Sequence, residues 1–215
     1  MKSRIAIVVI AGLAAGASAQ VVTGYDIADA AQSGMGGWAH TYSGTITGTG
    51  SDSANGVGFD RADYTGAGSG TLNDGNLNGG AGAANLFGLT SSTSPSITVY
   101  LDGAYFVDEI VLWGNDSGNT IPGNVDGFDV TINGNTMSFT GTESNNDLST
   151  LLAGSGLENL GTTSVTISNF VLEGQSGWTE LFSIDEITVR GNPVPAPGAL
   201  ALLGLGGFAA TRRRR

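Results

Sequence analysis

Thirty-six glycines in a chain of 215 residues narrow its folds more than any other feature. They are spread through the body and leave little room for a helix to propagate, since each glycine inside one costs about 1 kcal/mol relative to alanine. Between them lie short apolar segments rich in Val, Ile, Thr, Phe and Tyr, bounded by Gly, Asn, Asp and Ser. That is the composition of strands and turns. Residues 97–101 alternate, and Asp102-Gly103 is expected to turn the chain into a second strand within 105–113, centred on 109–113. Phe128, Val130 and Ile132 alternate onto one face of 127–133. Asn133-Gly134-Asn135 predicts a hairpin into 136–140, because Asn-Gly accepts the positive φ such turns need. Residues 164–170 and 184–190 add two strands, while 147–153 is the one stretch that allows a short helical turn. Residues 24–94 are less regular, with weak strands at 41–49 and 57–59. Trp38, Phe59, Leu72, Leu77, Leu86 and Phe87 still give that region side chains to bury. The expectation is an all-β fold, a β-sandwich.

The two ends differ in kind from this body. Lys2 and Arg4 precede an apolar run over 5–15, and Ala17-Ser18-Ala19 offers small residues for cleavage before Gln20. A positive start, a short apolar centre and an A-x-A exit mark 1–19 as a secretory signal peptide. At the other end Pro193, Pro195 and Pro197, with Gly198, stop the last strand. An uncharged apolar run follows over 199–210, read as a short helix, and Arg212, Arg213, Arg214 and Arg215 close the chain. The run falls short of the ~20 residues that cross a bilayer. It suits a transient halt at the membrane better than a permanent anchor, with the arginines held on the cytoplasmic side. Residues 20–192 remain as one domain, and 193–215 form a separate tail.

Charge sorts along the same boundaries. All nineteen acids lie in the body, where only Arg61 and Arg190 oppose them, so the body carries a formal −17. Such a surface repels phosphate backbones and excludes nucleic acid as a partner. It suits an exported protein, and its carboxylates are potential ligands for hard cations such as Ca²⁺. The chain has no cysteine, which removes disulfides and thiolate metal sites together.

Val194-Pro195-Ala196-Pro197-Gly198, the Leu/Ala/Gly run and the four terminal arginines resemble a PEP-CTERM sorting signal. Ala196 stands where the name-giving motif has Glu. The resemblance implies export through the Sec translocon, a precursor held at the inner membrane by its C-terminal segment, and an exosortase-type processing enzyme as partner. The destination it implies is the cell surface or an exopolysaccharide matrix.

A second resemblance covers most of 72–191. Residues 97–113 (ITVYLDGAYFVDEIVLW) are similar to the central strand pair of galactose-binding-like, discoidin-type jelly rolls. Residues 183–191 (SIDEITVRG) resemble the closing strand of that family, and Leu72-Asn73-Asp74-Gly75-Asn76 its early Asp-Gly-Asn turn. The family often holds a structural Ca²⁺ between that turn and the acid of the last strand, which implies Asp74, Asn76 and Glu186 as ligands. The alternative is that Asp74 and Asn76 cap a turn and Glu186 is solvated; Asp185 beside it leaves open which acid faces the site.

Sugar recognition needs an aromatic platform with polar groups around it. Trp38 with His40 and Tyr42, Trp113 with Asn115 and Asp116, and Trp178 with Glu180 are the available clusters. Trp178, in a glycine-rich segment, is the leading platform candidate, whereas Trp113 ends a core strand and is expected to be buried. No arginine follows Trp113, although lectin-like members of the family often place a basic group there. Catalysis finds little footing. His40 is the one histidine, no Gly-x-Ser-x-Gly turn is present, and Asp60/Asp63 or Asp126/Asp129 read more simply as surface acids than as a glycosidase dyad. The sequence reads as a non-enzymatic surface protein with a structural or adhesive role, and alternatively as a carbohydrate-binding module.

Overall fold

The computed structural model describes residues 18–19, 22–33, 40–77, 85–114, 124–144, 147–173 and 180–195. Thirteen strands occupy them: β1 (Ser18–Ala19), β2 (Val22–Ser33), β3 (Thr45–Ala54), β4 (Val57–Gly68), β5 (Asn85–Gly88), β6 (Ser96–Trp113), β7 (Asn124–Ile132), β8 (Asn135–Thr140), β9 (Thr142–Ser144), β10 (Asp147–Leu151), β11 (Gly161–Glu173), β12 (Leu181–Ile184) and β13 (Glu186–Pro193). Every pairing between them is antiparallel. The only helical pieces among the described residues are single 3-10 turns at Thr71–Asn73 and Leu157–Asn159.

β6 joins the two layers. Its first part pairs with β2 on one edge and β11 on the other. Its second part pairs with β13 and β10. Beyond β2 the first layer continues through β4 to β3, and beyond β11 through β7 to β8. Tyr25, Ile27, Ile97, Val99, Val130 and Ile167 from that layer share one buried cluster with Ile110, Leu112, Leu148, Ile187 and Val189 from the other. Period-2 burial along each strand produces this shared core, and the expected β-sandwich is the result.

Three expectations need correction. Asp102-Gly103 does not turn the chain: β6 runs unbroken for 18 residues, and Gly103 has no positive φ of the kind a tight turn would need. The strand instead changes partners there. Residues 147–153 are not helical. Leu148, Thr150 and Leu152 are buried alternately with partly exposed neighbours, a strand period, and β10 lies along 109–113 of β6. Residues 24–94 are also more regular than expected, since β2 and β4 span twelve residues each and β3 ten.

The Asn133-Gly134 hairpin forms as read, with φ of 50° and 79° and Ile132 paired to Asn135. A second turn of the same kind, Asn55-Gly56, joins β3 to β4. Asp29 and Asn169, also at positive φ, sit where β2 and β11 shift register. They act as bulges, and each is held by an acid: the Asp29 N–H donates to Asp63 Oδ1 at 3.1 Å, and Asn169 Nδ2 donates to Asp129 Oδ2 at 3.2 Å. Two of the paired acids of the sequence are therefore occupied in bracing the sheet.

Candidate functional site

Residues 41–43 lie antiparallel to 69–71 and form a short extra rung beside the sandwich. The Ser43 N–H donates to the Ser69 carbonyl at 2.8 Å, the Thr71 N–H donates to the Thr41 carbonyl at 3.1 Å, and the Thr41 N–H donates to Thr71 Oγ1 at 2.8 Å. Glycines make the close approach possible. A Cβ on Gly44 would lie 2.6 Å from the Tyr42 ring and one on Gly68 2.7 Å from it, while one on Gly70 would overlap the Thr41 carbonyl. Tyr42 is thereby sunk between two backbones and stacks on Tyr64, ring centres 5.1 Å apart. Its hydroxyl donates to the Tyr25 carbonyl at 2.7 Å and accepts the Gly68 N–H at 3.1 Å. Asp26 anchors the same corner, accepting the Ala67 N–H at 2.7 Å and the Tyr100 hydroxyl at 2.8 Å. That bond to Asp26, with burial and the charge of Asp26, pushes the Tyr100 phenol up to about 12.

Outside this frame opens a cleft of about 410 Å³, lined by Thr41, Tyr42, Ser43, Ser69, Gly70, Asn73 and Asp74. The hydroxyls of Ser43 and Ser69 face each other at 3.3 Å, and Ser43 Oγ also accepts the Ser69 N–H at 2.8 Å. Asn73 is fixed at both ends of its amide: Oδ1 accepts the Gly70 N–H at 2.8 Å, and Nδ2 donates to the Val22 carbonyl at 2.9 Å.

Asp74 links the cleft to the last strand. Its Oδ1 accepts the Asn76 N–H at 2.8 Å, and Gly75 between them, at φ 82°, donates its N–H to Glu186 Oε2 at 3.0 Å. Glu186 is 8% exposed. Burial raises its pKa; the Gly75 N–H lowers it, the charge of Asp74 raises it and the Asp74 N–H lowers it. The balance leaves the carboxyl at about 7.

The structure thus brings Asp74 and Glu186 to one turn, and Asp74 does cap that turn, but Glu186 is buried and not solvated. Asp185 is directed elsewhere, against Gly114, with its N–H donating to the Trp113 carbonyl at 2.8 Å. Among the described residues no three His, Cys, Asp or Glu side chains converge on a possible metal position. Two acids share this turn, and burial is the main cause that shifts Glu186 toward neutrality.

His40 hydrogen-bonds the Tyr64 hydroxyl through Nε2, and its Nδ1 is buried without a partner. Burial lowers its pKa. The ring belongs to the tyrosine cluster and does not line the cleft. Trp38 and Trp178, along with Asn115 and Asp116, lie outside the described residues, as do the sorting residues Ala196, Pro197, Gly198 and Arg212–Arg215. Val194 and Pro195 follow directly on β13, and the Val194 N–H donates to the Ala104 carbonyl at 2.9 Å. Among the described residues no helix is long and apolar enough to cross a membrane. Trp113 is partly exposed, not fully buried. Ser43 and Ser69 were not singled out by the sequence, and Asn73 only as part of the early turn; the glycines at 44, 68 and 70 were the available signal.

No family model matches this chain, and no curated protein matches it. Solved structures of similar shape include the family 32 CBM from C. perfringens NanJ in complex with galactose, at 17% identity over 71% of this chain and 99% of that one, TM-score 0.39. A Streptococcus pneumoniae fucose binding module is 19% identical over 68% of this chain and 93% of its own, TM-score 0.40. The CBM32-1 and CBM32-2 domains of Clostridium perfringens ZmpB are 9% identical over 70% of this chain and 34% of theirs, TM-score 0.42. These similarities are distant.

Proposed function

We propose that the body is a non-catalytic carbohydrate-binding module on an exported protein, and that the cleft beside Asp74 receives a sugar. The lining of that cleft carries the reading. Its volume of about 410 Å³ falls in the range of small-molecule sites, about 300–1,000 Å³. Ser43 and Ser69 offer hydroxyls that both donate and accept, Asn73 an amide, and Asp74 a carboxylate acceptor. A polyhydroxylated ring, whose groups also donate and accept, matches that set. Among the described residues no basic side chain lines the cleft and the body is strongly acidic, so the sugar is neutral or cationic. Hydrolysis would need two carboxyls flanking the bond, and among the described residues Asp74 is the one acid in the lining.

Export and retention follow from the ends. The signal peptide sends the chain through the Sec translocon, and the tail from Val194 to Arg215 holds a precursor at the inner membrane for an exosortase-type enzyme. The adhesive role at the surface is then exercised through glycan binding, with exopolysaccharide as the natural partner. Asp74 and Glu186, with Asn76, hold Ca²⁺, whose contribution is to neutralise the crowded acids and fix the turn that walls the cleft.

Two experiments test this. On a glycan array the purified protein should retain neutral glycans, and Asp74→Asn together with Ser69→Ala should reduce that binding at least tenfold; undiminished binding by the folded variants would overturn the cleft assignment. In the native host, deleting residues 195–215 should release the protein into the medium, whereas an unchanged envelope fraction would overturn the sorting assignment.

A further inference from the structure

The outer face of the second layer carries polar and aromatic side chains that the core does not use, and at its cleft end Glu186 of β13 and Asp147 of β10 flank Trp113. On β6, Glu109, Val111 and Trp113 point to this face, opposite the buried Ile110 and Leu112. β10 sets Ser149 beside Val111, and β13 sets Thr188 beside Val111 and Arg190 beside Glu109.

Trp113 does not stand upright on this face. Its Nε1 donates to Thr188 Oγ1 at 2.9 Å, and Thr188 is the cross-strand partner of Val111, two residues back along β6. The bond draws the indole down along the sheet toward Val111, which is 1% exposed although it is on the outward side. Trp113 itself stays partly exposed. At the far end of the row Glu109 receives two donors, Ser149 Oγ at 2.5 Å on Oε1 and Arg190 Nη1 at 2.8 Å on Oε2. Arg190 keeps 41% of its side chain exposed. It is also the cation of the body that stays accessible: Arg61 is 20% exposed, faces Asp29 and Asp52, and donates to the Ser92 carbonyl at 3.2 Å.

From these placements we infer a second glycan-binding surface, a strip on the sheet face with Trp113 as the stacking platform and the Ser149–Glu109–Arg190 cluster as the hydroxyl-binding end. Trp113 and Glu109 are four residues apart on one strand, roughly 13 Å at about 3.3 Å per residue. The strip is therefore longer than one pyranose ring and takes a short run of an extended neutral polysaccharide. Apolar sugar faces lie on the indole, and hydroxyls farther along donate to Glu109 and to Ser149 Oγ and accept from Arg190. A partner with two sites can bridge two polymer chains, and joint engagement raises avidity well above either affinity.

The strip and the cleft share no lining residue, and the test separates the two. Full-length protein is run by affinity electrophoresis through gels containing soluble β-glucan, xylan, galactan or mannan, and fragments of one to six sugars of any retained polymer are titrated by calorimetry. Affinity should rise with length beyond the monosaccharide. Trp113→Ala and the double variant Arg190→Gln, Ser149→Ala should each weaken the longer fragments about tenfold while leaving monosaccharide binding unchanged. If Trp113→Ala does not fold, Trp113→Phe keeps a platform and should lose less than the double variant. Cleft substitutions at Asp74 and Ser69 should do the reverse, weakening the monosaccharide. Retention of no polymer, affinity independent of length, or equal binding by folded sheet-face variants would each overturn the strip, whatever the cleft variants show.

Discussion

Glu186, the first residue of β13, accepts the Gly75 N–H through Oε2 at 3.0 Å across 111 residues of sequence. One bond thus ties the turn that walls the cleft to the strand that closes the second layer. The carboxyl that makes it is buried and shifted up to about 7, so the tie is sensitive to pH.

The sign follows from linkage. A carboxyl whose pKa is higher in the folded than in the unfolded protein binds protons more tightly when folded. Its contribution is fully present below about 4.5 and is lost as pH rises through about 7. A shift of this size corresponds to about 3 kcal/mol. Thermal melts without divalent ions should show stability falling between about pH 5 and pH 8, and Glu186→Gln should flatten that slope. A wild-type profile that rises over the same interval would contradict the burial of Glu186.

Ca²⁺ should act on the same carboxyl from the opposite side. It binds the ionised form, so low millimolar Ca²⁺ should raise the melting temperature by several degrees at pH 8 and by much less at pH 5. Mg²⁺ should do less, because it keeps its waters and demands stricter geometry. Asp74→Ala and Glu186→Gln should abolish the difference between the ions. Asp185→Ala should spare it, since that side chain turns toward Gly114. Equal shifts from Ca²⁺, Mg²⁺ and added NaCl would reduce the effect to screening of the acidic surface.

How far the sequence could be read depends on the range of the signal. Local signals were legible: Phe128, Val130 and Ile132 lie buried on one face, and Asn133-Gly134 makes its hairpin. The Asn55-Gly56 hairpin had the same signature but sat among Gly, Ser and Thr that masked the strands on either side. At Asp102-Gly103 a turn-forming pair was overridden because β2 and β11 pair the residues before it and β11 and β13 those after it, so the strand continues across the change of partners. The pairing of Asp74 with Glu186 came from a resemblance in order and not from periodicity. The Ser43–Ser69 and Trp113–Thr188 contacts join residues 26 and 75 apart, a relation set by sheet register alone and written in no local pattern.

Asn55 and Glu180 form another long-range latch. The Asn55 N–H donates to Glu180 Oε2 at 2.5 Å, and Asn55 Oδ1 accepts the Glu180 N–H at 2.9 Å. Two reciprocal bonds across 125 residues hold the β3–β4 hairpin to the start of β12. Asn55→Ala and Glu180→Ala should each destabilise by about 1–3 kcal/mol. Because they break one latch, their effects should couple by more than about 0.5 kcal/mol in a double-mutant cycle. Strict additivity would mean that the two bonds do not act together.

The glycines around the cleft differ in the reason they are required, and alanine substitution should separate those reasons. Gly75 needs its positive φ of 82° but has open space around it, so Gly75→Ala should cost about 1–2 kcal/mol, the strain of one left-handed residue. Gly70 is the converse. Its φ of 168° is extended backbone open to any residue, yet a Cβ there would overlap the Thr41 carbonyl and lie 2.9 Å from the Tyr25 hydroxyl. The obstacle is backbone, which cannot move aside as a flexible side chain does. Gly70→Ala must therefore push the 41–43 rung away from 69–71, break the Thr71–Thr41 bond and separate Ser43 from Ser69. It should cost about 3 kcal/mol or more, in the range of overpacked cores. It should also weaken monosaccharide binding at any pH and any Ca²⁺ concentration. Gly75→Ala should leave the Ser43–Ser69 wall standing and act on binding only through Glu186 and Ca²⁺. Melting curves and monosaccharide titrations on the two variants decide the matter: a Gly70→Ala protein as stable and as competent to bind as wild type would show that the close approach at Thr41 does not shape the cleft.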